Sequence, residues 1–324
     1  MLKKLKLMFQ LYKYRLNNGV PYNYAPEPPP EYDPYIYIET SEENQAEEPG
    51  KKKFPWINLV LFTATFITTT LAGSHGGGTI GEVVISGLPY SLSLMLILGT
   101  HEMGHYLASK KFGVDCTLPY FIPFPSIVGT MGAVIKTRSP IPHRKALFYI
   151  GAMGPIPGFI VSIAASAIGI YLSQVETLPD PGNFPLVIFG DSILYGAIVY
   201  LFHGPIPPGY DIYLHPLAWA GWIGFLITSL NLIPIGQLDG GHILYALIGR
   251  KQVYAGWAAF ACLIVLSFFW PGWIVWIIIS LLILMIAHPP VPEIIPLTRG
   301  ERITGWACMV ILALTFIPVP VEFL

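Results

Sequence analysis

His101-Glu102-Met103-Gly104-His105 sets two imidazoles four residues apart with a carboxylate between them. On a helix, positions i and i+4 share one face, so both rings can grip a single metal ion. Glu102, one step round from His101, is placed to act as a base on water at that metal. The flanking residues, Leu88 to Thr100 before and Tyr106-Leu107-Ala108 after, are largely apolar. They put the pair on a helix of membrane-spanning length. Ionisable groups at membrane depth are costly and functional by default. The chemistry indicated is zinc-dependent hydrolysis within a bilayer. The bland alternative, two core histidines satisfied by hydrogen bonds, needs a partner for every buried ring nitrogen.

Catalytic zinc takes three protein ligands and keeps one position open, so two histidines are not enough. A third candidate lies far along the chain, in Asn231-Leu232-Ile233-Pro234-Ile235-Gly236-Gln237-Leu238-Asp239-Gly240-Gly241. Pro234 breaks a helical ladder, and the glycines allow close backbone approach. Asp239 reads either as a ligand or as a helix-end aspartate, and its depth in the sequence-derived topology favours the ligand. Between the two segments, Pro119 to Pro125 leads into Gly129-Thr130-Met131-Gly132-Ala133-Val134-Ile135. Such a tract cannot continue a helix, and its β-branched end favours extended chain. A short re-entrant hairpin beside the metal fits, with Gly129 and Gly132 on an edge that a substrate segment can join as an added strand. An ordinary loop has the same composition.

The elements that must hold these residues are helices in lipid. Hydrophobic residues make up 53% of the 324-residue chain and charged residues 11%, with mean hydropathy +0.58. This is the composition of an all-α polytopic membrane protein. Apolar runs of spanning length cover roughly 57–73, 88–109, 146–172, 216–236, 253–270, 272–288 and 303–319, about seven transmembrane helices. Lys51-Lys52-Lys53 before the first run puts the N-terminus in the cytoplasm by the positive-inside rule. Alternation then sends Lys110, Lys111, Lys136, Arg138, Arg144, Lys145, Arg250, Lys251, Arg299 and Arg302 to the cytoplasmic side. Glu82, Glu176, Asp180, Asp191, Asp211 and Glu322 fall outside, with no lysine or arginine. Ile193 to Phe202 is apolar but short, and reads as a membrane-edge or re-entrant piece. The His101–His105 pair lands in the cytoplasmic half, where water can reach it.

Residues 1–55 read as a cytoplasmic N-terminal extension, with a basic helical segment ahead of a Pro- and Glu-rich disordered linker. That helix suits either an anionic membrane surface or solvent. Residues 56–324 read as a multi-pass membrane domain with a catalytic core over about 88–245. The formal net charge of −1 and the lack of a basic stripe exclude nucleic acid as a partner. Cys116, Cys262 and Cys308 are scattered and form no metal or redox pattern. His75, His143, His203, His215 and His288 read as loop or interfacial residues, and His242 as a neighbour of Asp239 but not a ligand.

Taken together, HEMGH and NLIPIGQLDGG resemble the site-2 protease family of intramembrane zinc metalloproteases. The resemblance runs from the second span through about His242 and includes Gly154-Pro155 and His215-Pro216 to Trp222. It is similar above all to the branch of the ethylene-dependent gravitropism-deficient and yellow-green proteins, down to Gly190-Asp191-Ser192. The resemblance implies His101, His105 and Asp239 as ligands of one Zn2+ per chain, Glu102 as general base, and Asn231 near the site holding substrate or a helix. One position departs. Many members have an asparagine four residues after the Gly-Pro glycine, where this chain has Gly158, so that contact does not carry over.

The function expected is a multi-pass protease of the cell (cytoplasmic) membrane that cuts transmembrane helices of membrane-protein substrates. Its partners are that substrate and the lipid bilayer, with self-association left open. A divalent-metal transporter and an inactive membrane scaffold are the rivals. The first should show internal repeats and polar residues through several spans; the second should have lost Glu102.

Overall fold

The computed structural model describes residues 54–74, 78–178, 187–286 and 291–323. Readings that fall on 1–53, including Lys51 to Lys53, and on His75, Asp180 and His288 lie outside the described residues. Pro55–Leu324 forms one compact unit.

Each apolar run becomes helix because a helix pairs the backbone amides and carbonyls within its own segment while its side chains are buried or face apolar surroundings. The helices are α1 Trp56–Ala72, α2 Ile80–Lys111, α3 Arg144–Ala152, α4 Pro155–Leu172, α5 Ile193–His203, α6 Pro216–Leu232, α7 Asp239–Ile248, α8 Gln252–Leu266, α9 Trp273–Met285 and α10 Arg299–Thr315. By length and composition, Ile80–Lys111 and the Arg144–Leu172 stretch are long and apolar enough to cross a membrane. Trp56–Ala72, Ile193–His203, Pro216–Leu232 and Trp273–Met285 are shorter apolar helices. Their outward faces carry large apolar side chains such as Leu92, Leu96, Ile274, Ile278 and Leu282, all exposed. A water-facing surface does not carry so extended an apolar face.

The run 146–172 is not one helix, as its unbroken apolarity suggests. It divides at Met153-Gly154, where Pro155 opens a new helix with no amide to give to the preceding turn. Three short antiparallel β ribbons complete the fold, the first over the tract read as a hairpin and two that the sequence reading did not include. β1 Tyr120–Pro123 pairs antiparallel with β2 Thr130–Val134, matching Tyr120 to Val134 and Phe121 to Ala133. β3 Gln174–Thr177 pairs with β5 Tyr210–Tyr213, and β4 Val187–Phe189 with β6 Val321–Phe323. The last two ribbons join segments remote in sequence, which no local pattern announces.

α2, α4 and α6 form the core, with α4 against α6 the broadest helix interface. Ser162, Ser166 and Gly169 of α4 face Gly224, Gly221 and Ala218 of α6, so small residues let the backbones close up. α1 packs along α2, where Thr69 Oγ1 and Ser91 Oγ share a 2.7 Å hydrogen bond. The basic residues gather at one end. Lys110 and Arg138 pair with Asp115, Arg144 with Glu293 and Lys145 with Glu301. The β3–β5 and β4–β6 ribbons, α5 and the N-terminus of α6 make the other end.

Candidate metal centre

α2 starts at a capping box, Thr79 with Glu82, and runs unbroken past His105 to Lys111. His101 and His105 therefore stack one turn apart, and their Nε2 atoms lie 3.0 Å from each other. His105 Nδ1 sits 2.6 Å from the Ile150 carbonyl oxygen. A carbonyl can only accept, so Nδ1 carries the proton and the Nε2 lone pair is left for a metal.

Asp239 is the first residue of α7. The turn after α6 comes about because Pro234 cannot continue the ladder, and the buried Gln252 Nε2 donates to the Pro234 carbonyl at 2.8 Å. Gly240 then packs against the end of α6. A Cβ there would overlap the Leu232 carbonyl and lie 2.9 Å from that of Ile233. Only glycine lets α7 begin this close to α6. Asp239 Oδ2 consequently lies 3.3 Å from the Nε2 of His101 and 3.3 Å from that of His105.

Two imidazole nitrogens and one carboxylate oxygen thus form a triangle with edges of 3.0, 3.3 and 3.3 Å. Ligand atoms about 2.0–2.1 Å from a tetrahedral zinc stand about 3.3–3.4 Å apart. The donor types and spacing fit such an ion, with a fourth position open. Both histidines are buried and Asp239 nearly so. Among the described residues, His101, His105 and Asp239 are the group of three or more ligand-type side chains close enough to hold a metal ion.

Glu102 is 6% exposed and meets the backbone amide of Ile135, just past β2. The end of the hairpin therefore touches the carboxylate beside the metal group. Its other parts are tied to α1. Asn58 Nδ2 donates to the carbonyls of Leu118 and Pro119 at 3.1 and 2.8 Å, and Thr68 Oγ1 to that of Gly129 at 2.6 Å. Gly129 and Gly132 both adopt positive φ, 82° and 99°, at the start and in the middle of this edge. β2 pairs with β1 on one side, and its other edge has no strand partner among the described residues. Asn231 Nδ2 stands 3.4 Å from His101 Nε2, and Gly158 packs against the ring of His101.

Sequence reasoning missed what holds the histidines. The Ile150 carbonyl is invisible to residue type. So is the approach of Gly104, inside the HEMGH stretch, to the Met153 carbonyl and Gly154. The one available sign was the Gly-Pro break in the third apolar run. His143 and His215 cap α3 and α6 by accepting from the amides of Ala146 and Leu217, and His203 bonds the Ile170 carbonyl at 2.8 Å. His242 lies beside Gly151.

The fold and site define a mostly helical protein, with two helices long and apolar enough to cross a membrane and a buried His-His-Asp group at the junction of α2, α6 and α7. Peptidase family M50 matches residues 89–270, which takes in that whole group. The chain belongs to this family. It is 35% identical over 174 residues to a protein of Arabidopsis thaliana named probable zinc metalloprotease EGY2, chloroplastic, covering 52% of this chain and 30% of that one. It is 34% identical over 176 residues to EGY1 of the same plant, covering 52% and 31%. With EGY3 of Oryza sativa subsp. indica it shares 28% over 219 residues, covering 62% and 37%. The match spans about a third of the length of these relatives. No solved structure matches the chain.

Proposed function

We propose that this chain is a zinc-dependent endopeptidase that hydrolyses peptide bonds within or near the transmembrane helices of membrane proteins. The observation that carries the reading is the His101–His105–Asp239 triangle with the buried Glu102 carboxylate next to it. Family membership and the names of the relatives support the same chemistry.

When bound, one zinc per chain supplies Lewis acidity, which polarises a carbonyl and makes water a nucleophile near neutral pH. The Ile150 carbonyl holds His105 in the tautomer that presents Nε2. Glu102 takes a proton from the attacking water and delivers it to the leaving amine. The free edge of β2 receives the substrate as an extended strand, replacing the helix hydrogen bonds that the substrate gives up on unwinding. Asn231, beside His101, is available to orient the substrate carbonyl.

We place seven spans in the cytoplasmic membrane, with the N-terminus and residues 1–55 in the cytoplasm and 56–324 as the protease domain. Gathering of the basic residues at the metal-proximal end supports this orientation through the positive-inside rule. It also supports a hairpin at membrane depth, open to water from that side.

The test compares purified wild type with Glu102→Gln in liposomes for zinc content and cleavage of transmembrane-helix peptides. One zinc per chain in both, with cleavage lost only in the variant, is the expected result. If both proteins carry zinc across the bilayer and neither cuts a peptide, the reading fails.

A further inference from the structure

At the end of the molecule away from the metal group lies a cavity of about 690 Å³. Trp219 and Trp222 of α6, Tyr195 of α5 and Phe189 wall it with aromatic surface, and Asp191 and Asp211 face into it. Among the described residues no lysine, arginine or histidine lines it, and the segment 173–215 contains no lysine or arginine at all. Partial burial and the neighbouring Asp211 carboxylate hold Asp191 above the usual carboxylate range. The residue before Asp191, Gly190, is held at both its carbonyl and its amide. Trp222 Nε1 donates to the Gly190 carbonyl at 2.7 Å, and the Gly190 amide donates to that of Pro320 at 3.1 Å.

The cavity is joined to the active-site hairpin. Ile127, in the turn between β1 and β2, lines it. Tyr90 stacks on Trp219 with ring centres 4.4 Å apart, and its hydroxyl donates to the Val128 carbonyl at 2.8 Å. The hairpin thus has its turn at the cavity and its other end, Ile135, at Glu102. Along α2 from Tyr90 to His101, and along α6 from Trp219 to Asn231, the separation is about 16–18 Å. An extended chain covers that in about five residues.

Aromatic walls with carboxylates that meet no basic side chain among the described residues are the chemistry that recognises an aliphatic stem bearing an ammonium or guanidinium. We infer that this cavity receives a lysine or arginine of the substrate, about five residues from the scissile bond on the side away from the basic end of the molecule. The inference rests on the peptidase reading and names the substrate class that reading leaves open: transmembrane segments with a basic flank at that spacing.

The test uses the full chain in liposomes and one transmembrane peptide carrying Lys, Arg, Gln or Glu at that position. Wild type should show a KM about tenfold lower for Lys and Arg than for Gln, and higher again for Glu. In Asp191→Asn/Asp211→Asn the Lys-to-Gln ratio should fall to about one, and Asp191→Lys should prefer Glu. A separate arm measures energy transfer from tryptophan to dansyl-labelled peptides bound to Glu102→Gln, which needs no cleavage. Cleavage of all four peptides with equal KM overturns the cavity assignment and leaves the peptidase reading standing. Flank-selective binding with no cleavage by wild type keeps the cavity assignment and sinks the peptidase reading. If millimolar calcium displaces all four peptides equally, the carboxylates serve an ion, and the inference is wrong.

Discussion

Gly104→Ala tests how the proposed metal site is held, with all three of its candidate ligands left in place. The position lies in the second turn of the His-Glu stretch, facing the break between α3 and α4. An added Cβ would overlap the Met153 carbonyl oxygen and lie 2.6 Å from its carbon, with the Gly154 nitrogen at 3.2 Å. Carbon atoms rest about 3.5–4.0 Å apart and the oxygen overlap is tighter still, so α2 and the Met153-Gly154 corner must part by at least about 1 Å. That corner supplies the backstop for His105. Ile150 holds its Nδ1, and a Cβ on Gly154 would stand 2.5 Å from its ring carbon Cδ2. Metal sites tolerate about ±0.2 Å in ligand distance, so the displacement is several times what the triangle can absorb. Zinc affinity should fall at least 10–100-fold, with about 1–3 kcal/mol of overpacking cost. Gly99→Ala, on the same helix with nothing within 4 Å of its added Cβ, should keep full zinc and gain up to about 1 kcal/mol. The assay is zinc content after dialysis against a zinc–chelator buffer, read alongside thermal unfolding. Wild-type zinc affinity in Gly104→Ala would refute the account of how the site is held.

Asn58→Ala with Thr68→Val removes three hydrogen bonds from α1 to the hairpin, worth about 1 kcal/mol each. Amide exchange over Tyr120–Val134 should accelerate and cleavage fall, with zinc content unchanged; unaltered cleavage would show that the hairpin does not present substrate. Asn231→Ala should keep its zinc and lose about 10–100-fold in kcat, and loss of zinc instead would make Asn231 part of the metal-holding frame. Burial raises the Glu301 carboxyl, but the Thr298 amide, Lys145 and Tyr149 outweigh it and hold the group down from 4.5 to about 2. A depressed carboxylate stabilises the fold above its unfolded value, and that stability is lost as pH falls from 4.5 to about 2. Thermal unfolding across that window should be less steep in pH for Glu301→Gln than for wild type, and equal slopes would contradict the assignment.

The sequence by itself determined what is local. The four-residue spacing of His101 and His105 becomes one helical face because 3.6 residues make a turn. Apolar runs become helices because a helix pairs its backbone amides and carbonyls within one segment, which an apolar surrounding cannot do for it. Pro234 and the glycines around Asp239 fix a sharp turn whatever surrounds it. The β1–β2 hairpin was legible from its prolines, glycines and β-branched end. Less was legible where the deciding contact joins remote segments. Pro155 marks the division of 146–172, but that the resulting Met153-Gly154 corner packs against Gly104 of α2 is a contact between remote segments. The ribbons β3–β5 and β4–β6 pair strands too short to announce themselves. Only the tertiary structure decided that Asp239 Oδ2 falls 3.3 Å from both imidazoles, that the Ile150 carbonyl sets the tautomer of His105, and that Asp191 and Asp211 share one cavity with the hairpin turn. Those are distances between groups tens to more than a hundred residues apart. No spacing in the chain encodes them, because each is set by how closely whole helices pack.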